Sequence, residues 1–499
     1  MLSVIDTRPH PPLPQRLNLA AHVLAQAPAL GDKPALVVVH PGDEDTLSFA
    51  RLSALVLGCA THLQRQELAP GDRVLLRLGN GPAFPIAFLG CIAAGLVPVP
   101  TSAALTGAEV ARLSALVAPR LAVADPGLPV PPHLPTLPAD LSLWEALPPL
   151  TPIPADPNAE AYVIFTSGSS GLPSAVSHAH RAILARQPMH QGWEGLTPDD
   201  RLLHAGAMNW TYTLGTGLLD PWTLGATALV PAPGTPATDL PALLARARAT
   251  ILAAAPGVFR QMLRAPIPAL PHLRHALSAG ESLPAATRSA WEAATGTLVH
   301  EALGMTEIST YLSGSPSRPA PHGTTGHIQP GRHVAILDDA GDPVPRGTAG
   351  ELAVATSDPG LMRGILGQPP PHGDWFRTGD TARMSADGAI THLGRKDDLL
   401  NAGGFRVSPV EVEAAFHDLP GLVACAATEI EPTPGTRIIA LFYESSCAID
   451  TALLRQCAET ALARWKQPRH TQRVDTLPRT ATGKLVRRAL AALYQRPDP

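Results

Sequence analysis

From about residue 35 onward the sequence alternates short apolar runs with Ala/Leu-rich stretches: ALVVVH, then FARLSALVLGCATHLQRQ, then DRVLLRLGN. A helix after each strand carries the chain back to the same end of a sheet, so the alternation predicts an α/β fold with substantial parallel sheet. The 499 residues are 45% hydrophobic and 16% charged, enough for a large core, and length alone suggests about three domains. The stretch FPIAFLGCIAAGLVPVP (84–100) carries no charge, but Pro85, Gly90, Gly95 and Pro98 punctuate it. It is expected as a buried helix running into a strand, not as a membrane span. Residues 125–158 are proline-rich and expected to run extended over the surface, as a domain boundary or as an excursion within one domain.

Past residue 400 the texture changes. VSPVEVEAAFHDL predicts a helix with Ser408 as its N-cap and Pro409 at its first position. Strands, a further helix and a basic tail follow, with nine basic against two acidic residues over 464–499. Those charges either form a solvated helix face or meet ligand phosphates. The whole chain has a net charge of −4 and a pI near 6.5, so global charge asks for no nucleic-acid or membrane partner. Five scattered cysteines without a CxxC pair (Cys59, Cys91, Cys425, Cys447, Cys457) suit reduced thiols. The segment MLSVIDTRPHPPLPQR lacks the apolar region of a signal peptide, and a cytoplasmic location is expected. Only four of the 38 basic residues are lysines (Lys33, Lys396, Lys466, Lys484), which makes each one informative.

The segment AYVIFTSGSSGLPSAVSHAHRAIL (161–184) concentrates the chemistry. A strand over Tyr162–Phe165 enters a loop of closely spaced hydroxyls and two glycines, and a helix is expected next. Thr166, Ser167, Ser169 and Ser170 offer hydroxyls, and Gly168 and Gly171 let backbone N–H groups approach phosphate oxygens. It is not a Walker loop, because no GK[ST] follows at the right spacing.

TSGSSGLPS (166–174) resembles the phosphate loop of the adenylate-forming superfamily of acyl-CoA synthetases, peptide-synthetase adenylation domains and luciferases. It departs from that family's pattern at Ser170, where threonine is usual, and at Ser174, where a lysine is usual. Five further segments fall in the family's order. SAGESLP (278–284) resembles the segment flanking the adenine, which brings in Gly280, Glu281 and Ser282. LGMTE (303–307) resembles the motif in which Thr306 contacts the α-phosphate and Glu307 helps hold Mg²⁺, with Leu303 and Gly304 beside the adenine. Leu303 replaces an aromatic residue, so adenine stacking should be weaker. DWFRTGD (374–380) ends in Asp380, which the resemblance makes the ribose ligand, with Arg395 as its companion. GRKDDLLNAGGFRVSPVEVE (394–413) matches a hinge at Asp397 and a tunnel for the pantetheine thiol lined by Gly403 and Gly404. PRTATGK (478–484) matches the loop that carries the catalytic lysine, here Lys484.

The resemblance implies a large N-terminal α/β domain (1–393), a hinge (394–397) and a small mobile α+β C-terminal domain (398–499). The implied reaction activates a carboxylic acid with ATP as an acyl-adenylate, then passes the acyl group to coenzyme A. Two anions must meet there, so Mg²⁺ on Glu307 and the Lys484 ammonium are the expected counter-charges. HAGAMNWTYTLGTGLLDPW (204–222) occupies the acyl-pocket region, with Met208, Trp210 and Tyr212, and Ala279 opposite. Among family members the chain looks most like benzoate-CoA ligases and short- and medium-chain synthetases, and Trp210 argues against long fatty acids. Two other readings stay open: an adenylation enzyme serving a carrier protein or forming an amide, and a non-catalytic nucleotide- or acyl-binding protein. The partners expected are the acid, ATP and coenzyme A, with no nucleic acid and a homodimer left open.

Overall fold

The computed structural model describes the chain except residues 9–11, 168–172, 397–399, 403–404, 434–435, 481–484 and 496–499. Among the described residues the largest sheet has nine strands. Six run parallel at its centre: Pro34–Val39, Thr227–Pro231, Arg201–His204, Ile251–Ala254, His275–Ala279 and Val299–Met305. Antiparallel strands close both edges, Glu44–Ser48 on one and Ser309–Ser313 with His327–Ile328 on the other. The expected α/β architecture is therefore present, and functional loops gather at the carboxyl ends of its parallel strands.

A second parallel sheet is built from Arg73–Arg77, Val97–Pro100, Leu121–Ala124 and Thr136–Pro138. The apolar stretch at 84–100 forms the buried helix Ala83–Ala93 and then the strand Val97–Pro100, as its punctuation required. The proline-rich segment is an excursion within one unit. Its strand Thr136–Pro138 extends this sheet, and Leu150 and Ile153 donate backbone hydrogen bonds to Leu57 and Ala93. Its Trp144 is buried against the helix Phe49–Gln64, where a Cβ on Gly58 would collide with the Trp144 carbonyl. No described helix is long and apolar enough to cross a membrane. None of the five cysteines is paired, and Cys447 is exposed.

One local expectation fails. The phosphate-loop segment is a β-hairpin, Glu160–Ser167 paired with Pro173–Ala179, and the helix Ala182–Met189 comes only after the second strand. Pro173 and the Val176–Ser177–His178 run keep the backbone extended after the loop, since the central Val and Ser favour strand or turn over helix. A helix N-terminus therefore does not face the loop, and phosphate binding there would fall to backbone N–H groups and hydroxyls.

Beyond residue 400 the cores separate. Core clusters up to Ile390 contain no residue past that point, and the two later clusters draw only on Leu400 to Tyr494. The helix Pro409–Ala414 starts as expected: Ser408 Oγ accepts from the Glu411 N–H, with Pro409 at the first position. A three-stranded sheet, Leu422–Thr433, Thr436–Ser445 and His470–Arg473, backs it.

Candidate active site

Two loops at the carboxyl ends of parallel strands and one antiparallel strand pair define the site. The first follows His275–Ala279. Gly280 takes φ +102°, and a Cβ there would lie 2.8 Å from the Trp210 ring, so only glycine lets the loop pass this indole. Glu301 fixes the loop from below, accepting from the Leu283 N–H at 3.2 Å and from Arg288 at 3.0 Å. Burial raises the Glu301 pKa, and the Arg288 charge opposes that shift. The second loop follows Val299–Met305 and carries Thr306 and Glu307, both half-buried. A bulge between Leu303 and Gly304 turns the strand there, and a Cβ on Gly304 would collide with the Ser309 carbonyl. Leu303 packs against the cluster that contains Ile308 and Leu312.

The third element is the pair of strands Trp375–Met384 and Ile390–Arg395, whose register sets Asp380 opposite Arg395. Asp380 is buried, with His392 Nε2 at 3.2 Å and Arg395 Nη1 at 3.6 Å from the same carboxylate oxygen. Arg395 also donates to the Thr378 carbonyl at 2.8 Å, which holds its guanidinium over the turn. A carboxylate fixed in this way can accept from two vicinal hydroxyls.

The C-terminal segment reaches these loops. Arg479, five positions before Lys484, donates to Glu281 Oε2 at 3.1 Å, and Arg260 lies 3.8 Å from Glu281 on its other side. Lys484 itself lies outside the described residues, as do Asp397, Gly403, Gly404, Gly168, Ser169, Ser170 and Gly171. The three other lysines are committed elsewhere: Lys33 to the Pro198 carbonyl, Lys396 to Asp339 and Glu351, Lys466 to Glu411. Part of the basic tail is likewise spent on structural pairs, Arg487 with Glu413 and Arg473 with the Ser445 carbonyl.

The acyl-pocket candidates divide. Trp210, Tyr212 and Ala279 share one cluster, with the Trp210 and Tyr212 rings edge to face at 5.3 Å and Tyr212 Oη donating to the Leu277 carbonyl. Met208 belongs to a different cluster, which also holds Leu218 and Trp222, and Asn80 accepts from its backbone N–H. Thr166 and Ser174 face each other across the hairpin, so the position where a lysine is usual lies opposite the loop's first hydroxyl.

Behind Thr306 lies a buried polar group that no local sequence pattern indicated. Arg186 Nε donates to Asp220 Oδ1 at 2.8 Å, Nη2 donates to Asp220 Oδ2 and to Thr216, and Nη1 donates to Ser309 Oγ at 2.5 Å. His190 stands 3.5 Å from Asp220, and Glu194 is fully buried beside them. Burial opposes charge on Arg186, Asp220 and Glu194. The Asp220 carboxylate nevertheless holds the Arg186 pKa up, while burial and the Asp220 charge push Glu194 well above the usual carboxylate range. His190, Glu194 and Asp220 are the one cluster among the described residues spaced as metal ligands, but Arg186 already occupies the Asp220 oxygens.

These loops match a known pattern. Residues 23–366 match the AMP-binding enzyme family, which is more than half the chain. The chain belongs to the AMP-binding enzyme family. It is 28% identical to a 3-hydroxybenzoate–CoA ligase of Aromatoleum sp. (strain CIB), over 96% of this chain and 97% of that one. It is also 28% identical to the benzoate–CoA ligase of Thauera aromatica, over 97% and 98%, and to the human mitochondrial acyl-coenzyme A synthetase ACSM2A, over 96% and 91%. Among solved structures it is similar to the anthranilate CoA ligase AuaEII in complex with anthranoyl-AMP, with a TM-score of 0.86 and 26% identity over 96% and 98% of the two chains. A benzoate CoA ligase from Burkholderia xenovorans LB400 gives 0.85 and 26% over 95% and 99%. The fold of this AMP-binding enzyme is thus the adenylate-forming fold.

Buried neutral histidines line the family member's interior, and they make a prediction. Burial pushes His178, His180 and His300 down to about 4 and His204 to about 3. Each folded value is below the unfolded one, so the unfolded chain binds more protons below pH ~6.5. The stability these groups confer is full above that pH and is lost as pH falls towards 4, by about 1.4 kcal/mol per pH unit for each fully buried ring. Glu194 and Glu301 act in the opposite sense, but they are two groups against four. Thermal unfolding should be flat above pH 7 and drop steeply between about pH 6 and 4.5, and His204→Gln should flatten that drop. An unchanged melting temperature down to pH 4.5 would refute the assignment.

Proposed function

We propose that this protein is an AMP-forming acid–thiol ligase: a carboxylate and ATP give acyl-AMP and pyrophosphate, and acyl-AMP and coenzyme A give acyl-CoA and AMP. The observation that carries the reading is the Arg479–Glu281 contact, which joins the segment bearing Lys484 to the loop beside Thr306 and Glu307. The expected substrate is an aromatic, benzoate-like acid or a short- to medium-chain acid, since the Trp210 indole against Gly280 shortens the pocket. Two of the relatives named above are CoA ligases of 3-hydroxybenzoate and benzoate.

In the first step a carboxylate oxygen attacks the α-phosphorus, and the bond to pyrophosphate breaks. Negative charge gathers on the α-phosphate oxygens, and the Thr306 hydroxyl and Lys484 ammonium are the groups assigned to meet it. Asp380, held by His392 and Arg395, fixes the ribose and so the position of the phosphorus. Glu307 offers a hard carboxylate oxygen of the kind that suits Mg²⁺ and would hold the ion there. Bound there, the ion supplies charge that offsets the phosphates. In the second step the pantetheine thiol gives up its proton, its sulfur attacks the acyl carbon, and AMP leaves.

The separate cores before Ile390 and after Leu400 support a two-unit division with Asp397 as hinge. The small unit would present Lys484 for the first step and Gly403–Gly404 for the second. Free coenzyme A is the expected acceptor. Purified protein given acyl-AMP with coenzyme A, with a pantetheinylated carrier protein or with a simple amine should form the CoA thioester fastest. Faster transfer to the carrier or the amine would replace this reading with one of the other two acceptors.

Ser174 offers a milder test. A lysine restored there would stand at the start of the strand Pro173–Ala179, where water and Mg²⁺ would already screen the phosphates, and exposed pairs contribute about 0–1 kcal/mol. Ser174→Lys should therefore lower the KM for ATP by no more than about fivefold. Activity that appears only in this variant would mean that the natural chain is a binding protein.

A further inference from the structure

Thr306 and Glu307 stand in the short connection 306–308 between the antiparallel strands Val299–Met305 and Ser309–Ser313. A link this short is placed by its ends, so whatever fixes Ser309 and Thr310 also fixes the two residues before them. Ser309 enters the return strand with a φ of +67°, a left-handed conformation that costs a serine energy and persists only where its surroundings impose it. Two buried arginines hold this point. Arg186, on the helix Ala182–Met189, donates from Nη1 to Ser309 Oγ at 2.5 Å. Arg332, just before the strand His333–Leu337, donates from Nη2 to the Thr310 carbonyl at 2.9 Å. Each is locked by its own buried carboxylate: Arg186 by Asp220, and Arg332 by Asp358, whose Oδ1 accepts from Nη1 at 2.6 Å. The loop that carries Asp358 adds a third contact, because the Met362 N–H donates to the Glu307 carbonyl at 2.7 Å. Three elements remote in sequence thus pin residues 307, 309 and 310.

Stability alone does not account for this arrangement. A buried ion pair gains little over an apolar pair of the same shape, because two ions must be taken out of water. What a guanidinium adds is its rigid fork, which serves a carboxylate with some N–H groups and a further acceptor with others. In both arginines one such acceptor lies on the strand that follows Thr306 and Glu307 directly. We propose that Arg186 and Arg332 are positioning residues: acting through Ser309 and Thr310, they hold the Thr306 hydroxyl and the Glu307 carboxylate in place for the phosphates and Mg²⁺ before ATP binds. Groups fixed in advance need not reorganise as charge develops, and a preorganised site gains rate in this way. The inference rests on the assignment of Thr306 and Glu307 to the phosphates of ATP and to Mg²⁺.

Ser309→Gly is the test, since it deletes the hydroxyl that Arg186 holds while easing the backbone. Its urea midpoint should stay near the wild-type value, yet kcat for acid-dependent ATP–pyrophosphate exchange should fall about tenfold or more, with KM for the acid unchanged. Calorimetric titration without acid should show Mg·ATP bound several-fold more weakly. Ser309→Ala keeps the backbone cost and should show the same loss of kcat at a lower midpoint, whereas a purely structural serine would leave glycine the better enzyme. Arg186→Lys and Arg332→Lys keep a charge beside each carboxylate but lose the fork, and both should reproduce the loss of kcat. If either fails to fold, the two serine variants decide. Wild-type kcat in Ser309→Gly would overturn the positioning role and leave the ligase reading intact. If the wild-type protein shows no acid-dependent exchange, the ligase reading falls, and affinity for Mg·ATP decides this inference by itself: equal affinity in wild type and Ser309→Gly would overturn it too.

Discussion

Lys484→Ala is expected to slow adenylate formation by about a hundred-fold or more, while thioester formation from supplied acyl-AMP changes little. The reason is when charge appears. The α-phosphate accumulates negative charge only in the first half-reaction, and removing one preorganised cation from such a site costs about 3–4 kcal/mol. Among the four lysines, Lys33, Lys396 and Lys466 are tied to a carbonyl or carboxylates, so none of them is placed to substitute. In the proposed two-conformation scheme the hinge would take Lys484 away in the second half-reaction, so its loss should be silent there. Single-turnover rates for the two steps, measured separately, decide the matter. Equal losses in both would contradict a two-conformation scheme.

Arg186→Met should destabilise the large unit by about 3–5 kcal/mol, because it leaves the Asp220 carboxylate fully buried without its guanidinium partner, beside His190 and Glu194. The size follows from an asymmetry. A buried pair contributes little net stability over an apolar pair of equal shape, but breaking it strands a charge. The double variant Arg186→Met/Asp220→Leu should therefore recover most of the loss. The urea midpoint is the readout, with a constant slope showing that the same surface unfolds. A double variant no better than the single would mean that the network's worth lies in Ser309 and Thr216 instead.

What the sequence made legible follows from which interactions are local. The apolar strand runs, the Ser408 cap and the punctuated helix at 84–100 depend on near neighbours, and all appear where expected. The motifs at 278–284 and 303–307 converge because parallel strands deliver their carboxyl ends to one edge, and Asp380 of 374–380 meets Arg395 through antiparallel strand register. The strand Pro173–Ala179 went unseen because its few residues alternate too briefly to outweigh the helix signal that follows. The contact of Met208 with Asn80 could not be read locally, because 128 positions separate them. Arg186, Asp220 and Ser309 were invisible for the same cause, since 34 and 123 positions separate Arg186 from its partners. The only hint was an arginine inside an otherwise apolar helix, AILARQPM.

The central claim is that this chain makes acyl-adenylates. Exchange of labelled pyrophosphate into ATP, run with purified protein, Mg²⁺ and a panel of aromatic and short- to medium-chain acids without coenzyme A, tests it most directly. Exchange that requires a particular acid, and falls about a hundred-fold or more in Lys484→Ala, is the predicted result. Wild-type protein that binds ATP but supports no acid-dependent exchange with any member of the panel would contradict it.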